Sequence, residues 1–301
     1  MATPRQMELF NDRAFARNIK TVEREVIENY RIAVKAIRAD IAKVYEKYAV
    51  NGVLTHAEMS KFNRLTSLER NLTRDIAPTL RKNAAITAKM KTVEYDEAFF
   101  RTAWTIDQQI GVSLNWGVLN PKAVTAAVAN PLDLIARTRL RQGTLTTIRR
   151  AVAQGLIQGQ SFPNMMRGVT GAINGSANDA LRIVRTEGQR AQSQGQAANY
   201  DEAELLGVEL NQIWDATLDD RTRDSHGRQD GDIRADDGKF SPLSGVRPRF
   251  PVDPALPAKE SINCRCRIRG EIKDFAPKTR RVGGEIKSFE TYTQWKERTG
   301  R

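Results

Sequence analysis

The chain has 301 residues, with 48 Lys and Arg against 36 Asp and Glu, a net charge of +12 and a pI near 9.9. That length supports a sizeable core and two structural units. Its longest apolar runs, such as Ala123 to Ala129, are too short to cross a bilayer. The N-terminus lacks the charged, apolar, small-residue order of a secretory leader, so no membrane anchor is expected.

From Phe15 to Tyr48 the apolar residues recur at steps of three and four (Ile19, Val22, Val26, Tyr30, Val34, Ile37, Ile41, Val44), the stripe of a long amphipathic helix. Asn51-Gly52 ends it, and Thr55 followed by Glu58 offers a capping box for the next helix. A second stripe runs through Met59, Phe62, Leu65, Leu68, Leu72 and Ile76, where Pro78 breaks or kinks it. Further helix is expected from Leu80 to Met90 and from Glu94 to Leu114. Residues 1–120 therefore read as a long-helix hairpin or bundle, serving as core or as a docking arm.

A second region, 121–282, stays helical to about residue 206 in shorter pieces punctuated by Gly143, Gly155, Gly159, Gly168, Gly171 and Gly175. The stretch Leu145 to Leu156 makes one short helix, and Ala180 to Leu205 another containing Arg185-Thr186-Glu187. That triplet could mimic part of a nucleotide-transfer site, but its helical neighbours Ile183, Val184 and Ala191 favour a structural, salt-bridging segment. Beyond Gly207 the pattern alternates from Val208 to Trp214 as a strand, and Cys264 to Ile272 is a second strand candidate. Gly283-Gly284 marks a linker, and residues 283–301 carry a last helix from Phe289 to Arg298. The fold class expected is mainly α, ending in a small α+β domain with a metal site.

The two cysteines of the chain are Cys264 and Cys266. At i and i+2 on an extended segment both thiols face the same side, and a disulfide between them would close a strained ring. A reducing compartment is the simpler reading. With His226 they supply three zinc ligands, and Asp219 or Asp220 offers a fourth. The alternative is two ordinary buried cysteines and a surface histidine. His56 reads as an exposed first-turn residue. Asp230, Asp232, Asp236 and Asp237 miss the spacing of a calcium loop and read as a solvated turn. The zinc-deaminase pattern is not met, and no Walker loop, H-E-x-x-H or G-x-S-x-G motif occurs.

The basic balance favours polyanions. Arginines gather at Arg137, Arg139, Arg141, Arg149 and Arg150, which suits nonspecific phosphate contact with DNA; a solvated basic face is the alternative. No aromatic RNA-binding sheet motif is present.

The order Arg185-Thr186-Glu187, Trp214, Asp219-Asp220-Arg221-Thr222-Arg223, His226, then Gly231, Phe240, Pro257 and Asn263-Cys264-Arg265-Cys266 resembles the phage head morphogenesis family, the Mu F-like minor capsid proteins of tailed bacteriophages. The resemblance covers roughly Leu134 to Glu271, with Trp214, Arg221, Arg223 and Asn263 as its motif residues. It implies a non-enzymatic, low-copy virion protein, made in the host cytoplasm and placed in the capsid interior or at the portal vertex. Its implied partners are the portal protein and, beyond it, scaffold and major capsid proteins, with DNA contact during packaging or delivery. A metal-dependent nuclease or other hydrolase using His226 with Asp219 or Asp220 is the alternative.

Overall fold

In the computed structural model, which describes residues 4–273, 280–282, 285–287 and 292–300, the first stripe forms helix α1, Pro4–Tyr48. Its buried face is Val26, Tyr30, Ala33, Ile37, Ile41 and Tyr45, so small and aromatic positions complete the aliphatic pattern. Asn51 and Gly52 adopt positive φ and end it. The short helix α2, His56–Ser60, starts at Thr55, whose hydroxyl accepts the Glu58 amide at 3.2 Å.

A 3₁₀ turn at Lys61–Asn63 leads into α3, Arg64–Ile110. The helix continues through Pro78, and the separate stretches expected after it are one element. Then follow α4, Pro121–Ala127, capped by the Asn120 side chain, α5, Pro131–Ile157, and α6, Phe162–Leu205. Helix α6 runs through Gly168, Gly171 and Gly175, where punctuation was expected. A glycine inside a helix weakens it by only about 1 kcal/mol relative to alanine, which tertiary burial overrides.

The remaining elements are β1, Leu210–Asp215, α7, Asp224–Gln229, α8, Ala258–Ser261, β2, Arg267–Ile272, β3, Arg280–Val282, β4, Glu285–Lys287, and α9, Tyr292–Thr299. Strands β1 and β2 pair antiparallel, from Leu210 opposite Ile272 to Asp215 opposite Arg267, and β3 pairs with β4. The fold is mainly α, with long N-terminal helices and a small strand-containing C-terminal region, as the sequence indicates. Gly283, Gly284 and Phe289 lie outside the described residues.

The chain divides into two units, each discontinuous in sequence. One comprises residues 1–19, 89–130 and 185–301; the other comprises 20–88 and 131–184. The second is all helical across its long elements. Its helices are tied by Asn29 to Asn83 at 2.7 Å, by the Tyr30 hydroxyl to the Ser176 carbonyl at 3.3 Å, and by the Tyr45 hydroxyl to the Gln160 carbonyl at 2.7 Å. The first unit holds a core of Trp104, Trp116, Tyr200, Trp214, Phe240, Phe250, Ile268 and Trp295. Its helices approach so closely that a Cβ on Gly195 would stand 2.4 Å from the Tyr95 carbonyl oxygen. At Gly270 a Cβ would stand 2.3 Å from the Tyr200 ring, while the Gly270 amide donates to the Tyr200 hydroxyl at 2.9 Å. That contact holds the sheet against α6.

Candidate metal centre

Three elements of the first unit meet at His226. It sits on α7, directly after the loop that leaves β1, and is 2% exposed. Cys264 and Cys266 precede β2, which begins at Arg267 rather than at Cys264. They lie in a loop that Asn263 bends at φ 54°, with its amide donating to the Thr186 hydroxyl at 3.2 Å. The Gln189 amide of α6 donates to the Cys266 carbonyl at 3.0 Å, and an Arg223 guanidinium nitrogen to the Ile262 carbonyl at 2.6 Å. The thiol loop is thus fastened from α6 and from the segment before α7.

The His226 ring is oriented from both ends. Its Nδ1 faces the sulfurs, 3.2 Å from Cys266 Sγ and 3.5 Å from Cys264 Sγ. Its Nε2 meets Glu260 Oε2 at 3.0 Å, and Ser244 and Ser225 donate to the same carboxylate at 2.6 and 3.1 Å. Trp214, fully buried, packs edge-on against the imidazole with ring centroids 6.1 Å apart, and Phe240 packs edge-on against the indole at 5.3 Å. One donor atom from each of His226, Cys264 and Cys266 lies within 4.8 Å of the others, and all three residues are buried.

The electrostatics suit a cation. Burial opposes a charged His226, but its hydrogen bonds to Cys266 and Glu260 and the charge they bring outweigh that and raise its pKa. The hydrogen bond from Cys266, which outweighs the opposing effect of burial, holds the Cys264 thiol below the ordinary range. Cys266 is pushed well above it, first by its hydrogen bond to Cys264 and then by burial. Ionising both places two negative charges together in a buried site. A divalent ion removes that repulsion, and two thiolates with an imidazole nitrogen match zinc. A histidine whose second nitrogen is held by a carboxylate is the usual support for a metal ligand.

Asp219 lies elsewhere: Arg265 grips both its oxygens at 2.5 and 2.6 Å, and this hydrogen bonding holds its carboxyl far below the ordinary range. Among the described residues the close donor group is His226, Cys264 and Cys266, without Asp219 or Asp220. Arg221 is exposed beside Asp219. The acidic loop is satisfied locally: Asp230 accepts the Ala216 amide at 2.8 Å and Asp232 the Ser241 amide at 2.7 Å. Glu187 contacts Arg190 at 3.3 Å and Lys91 at 3.9 Å, in keeping with a salt-bridging segment. Glu260 escaped the sequence reading because 34 residues separate it from His226 and no spacing rule links them. Ser225, adjacent to His226, was the one local signal.

Arg137, Arg139, Arg141, Arg149 and Arg150 all lie on α5 in the second unit. Arg139, Arg141, Arg149 and Arg150 are exposed, while Arg137 is half-buried against the Ala84 carbonyl and Arg149 reaches Glu69 at 3.9 Å.

Residues 146–269 match the family described as Phage Mu protein F like protein, in line with the resemblance to the phage head morphogenesis family. Among relatives, the chain is similar to "Minor head protein GP7" of Bacillus phage SPP1, 28% identical over 292 residues, covering 93% of each chain. It is also similar to "NAD(+)--arginine ADP-ribosyltransferase EFV" of Enterococcus faecalis, 25% identical over 295 residues. That alignment covers 92% of this chain but 57% of the relative. No solved structure matches.

Proposed function

We propose that the protein is a minor head component that joins the portal and neighbouring capsid proteins, contacts DNA through phosphates, and acts by assembly rather than by turnover. The observation that carries this is the alignment with a minor head protein along 93% of both chains. Charge supports the DNA part. The second unit holds 20 Lys and Arg against 10 Asp and Glu, a net +10, whereas the first holds 28 against 26, a net +2. One unit thus brings nearly all the positive field that attracts a polyanion.

In this reading Cys264, Cys266 and Nδ1 of His226 hold a zinc ion whose role is structural. It would cross-link the loop before β2 to α7, where little regular structure exists to do so. Glu260 orients the imidazole, and Trp214 with Phe240 keeps water away.

Purified protein is expected to carry close to one zinc per chain by elemental analysis. A Cys264→Ser, Cys266→Ser double variant should lose it, and Glu260→Gln should weaken metal affinity by roughly 10- to 100-fold. A metal-free, well-folded wild type would overturn the zinc assignment. Incubation with single- and double-stranded DNA and magnesium, manganese or zinc should leave the DNA intact. Cleavage that disappears in a still-folded His226→Ala variant would establish the nuclease instead.

A further inference from the structure

Between Arg137 and Asn178 the chain contains no Asp or Glu, yet it carries Arg137, Arg139, Arg141, Arg149, Arg150 and Arg167. That stretch is most of α5, the turn, and the start of α6, all within the second unit. Where the two helices approach that turn they enclose an open groove of about 690 Å³. Arg150 stands on the α5 side and Arg167 on the α6 side, with Gln154, Gln158 and Asn164 also lining it. Arg150, Arg167 and these three polar residues are all exposed. No carboxylate lines the groove. The α6 part of its wall is small: a Cβ on Gly171 would meet nothing within 4 Å, and one on Gly168 only Ala151 at 4.0 Å. The N-terminal end of α6, which contributes Asn164, adds the positive end of a 44-residue helix.

We propose that this groove seats the phosphate backbone of duplex DNA. The inference rests on the DNA-contact reading and gives it a location. Guanidinium groups on two walls supply charge-assisted bonds to phosphate oxygens, and the amides add donors that are indifferent to sequence. The bare helix surface at Gly168 and Gly171 lets a sugar-phosphate chain approach the backbone, which any larger side chain would prevent. Absence of carboxylates is what separates this groove from an ordinary solvated face, where charges of both signs mix. A protein helix is the other occupant such a trough could take, but an amphipathic helix would want an apolar floor, and this lining is rich in guanidinium and amide groups.

The test uses the full chain and a fluorescent DNA duplex, with affinity measured across a salt series. Three variants are compared: Arg150→Gln with Arg167→Gln, Gly171→Trp, and Arg139→Gln with Arg141→Gln as a reference on the same unit. The Arg150/Arg167 pair should lower the slope of log affinity against log salt by about 2, since each phosphate contact contributes about 0.9. Gly171→Trp leaves charge unchanged and has room in the folded protein, so its expected loss of tenfold or more reads the groove itself. Wild-type affinity in Gly171→Trp, or an unchanged slope in the arginine pair, overturns the groove. Either result, together with weakened binding in the reference variant, leaves DNA contact standing elsewhere. If wild type binds no DNA at physiological salt, the DNA-contact reading itself fails. If the groove variants bind DNA normally but are not incorporated into heads, the groove belongs to a protein partner and the proposal is wrong.

Discussion

Glu94 and His226 show how differently a buried titratable group can be treated in one unit. His226 has a partner for each ring nitrogen, and every partner favours its bound, oriented state. Glu94 is 3% exposed and burial, only partly offset by a hydrogen bond from Asn18, pushes its carboxyl up to about 7. A carboxyl raised in this way contributes stability that is complete below its unfolded value and is lost as pH rises through about 7. Glu94→Gln should therefore flatten the decline in thermal stability between about pH 5 and about pH 8, and stabilise the protein at the alkaline end by roughly 1–2 kcal/mol. Parallel pH profiles for the two proteins would show the effect absent. At this scale the sequence was informative where spacing is short. The i, i+2 thiols announced their convergence, and Thr55 caps α2 as expected, although the Glu58 carboxylate turns to Lys61 and Arg64. Glu94 and Glu260 were silent, because burial and a partner 34 residues away are properties of the fold, not of the local string.

Elements with a strong period were legible, and their ends were not. The apolar stripe of α1 reads directly off the chain, but the joining of two expected helices into α3 does not, since Pro78 signals a break that packing overrides. The same holds for α6 and its glycines. The register of β1 with β2 is set partly by Tyr200, which only Gly270 can accommodate, and no local pattern predicts that pairing. Helix α9 is anchored through a buried acceptor as well as through the pair of Lys296 with Glu97 at 3.1 Å. Asp107 is fully buried and accepts the indole N–H of Trp295 at 2.7 Å, that of Trp116 at 3.0 Å, the Leu114 amide at 3.0 Å and the Ser113 hydroxyl at 3.1 Å. Asp107→Ala would strand two indole donors in the core, each costing about 1–3 kcal/mol. Limited proteolysis should then cut the C-terminal segment of Asp107→Ala, and of Trp295→Ala, well before the wild type. Equal cleavage rates would show that Asp107 does not hold α9.

For the whole molecule, the uneven division of charge is the feature that links fold to role. A net +10 on the second unit and +2 on the first separate a strongly basic part from the part that contains the Cys-Cys-His cluster. That separation was hidden in the sequence, because the unit boundaries fall inside α1, α3 and α6 and interleave distant segments. The arginine run on α5 was visible; its membership of a unit with so few compensating carboxylates was not. What the sequence did carry over long range was the spaced motif from Arg185 to Cys266, since its order survives whatever the intervening loops do. The central claim is membership in an assembled head, and co-expression with the portal protein of the same phage tests it most directly. After purification through the portal, native mass spectrometry should find this chain bound at a fixed, low stoichiometry. Portal rings that assemble and purify free of it, under conditions where both proteins are soluble and folded, would contradict the account.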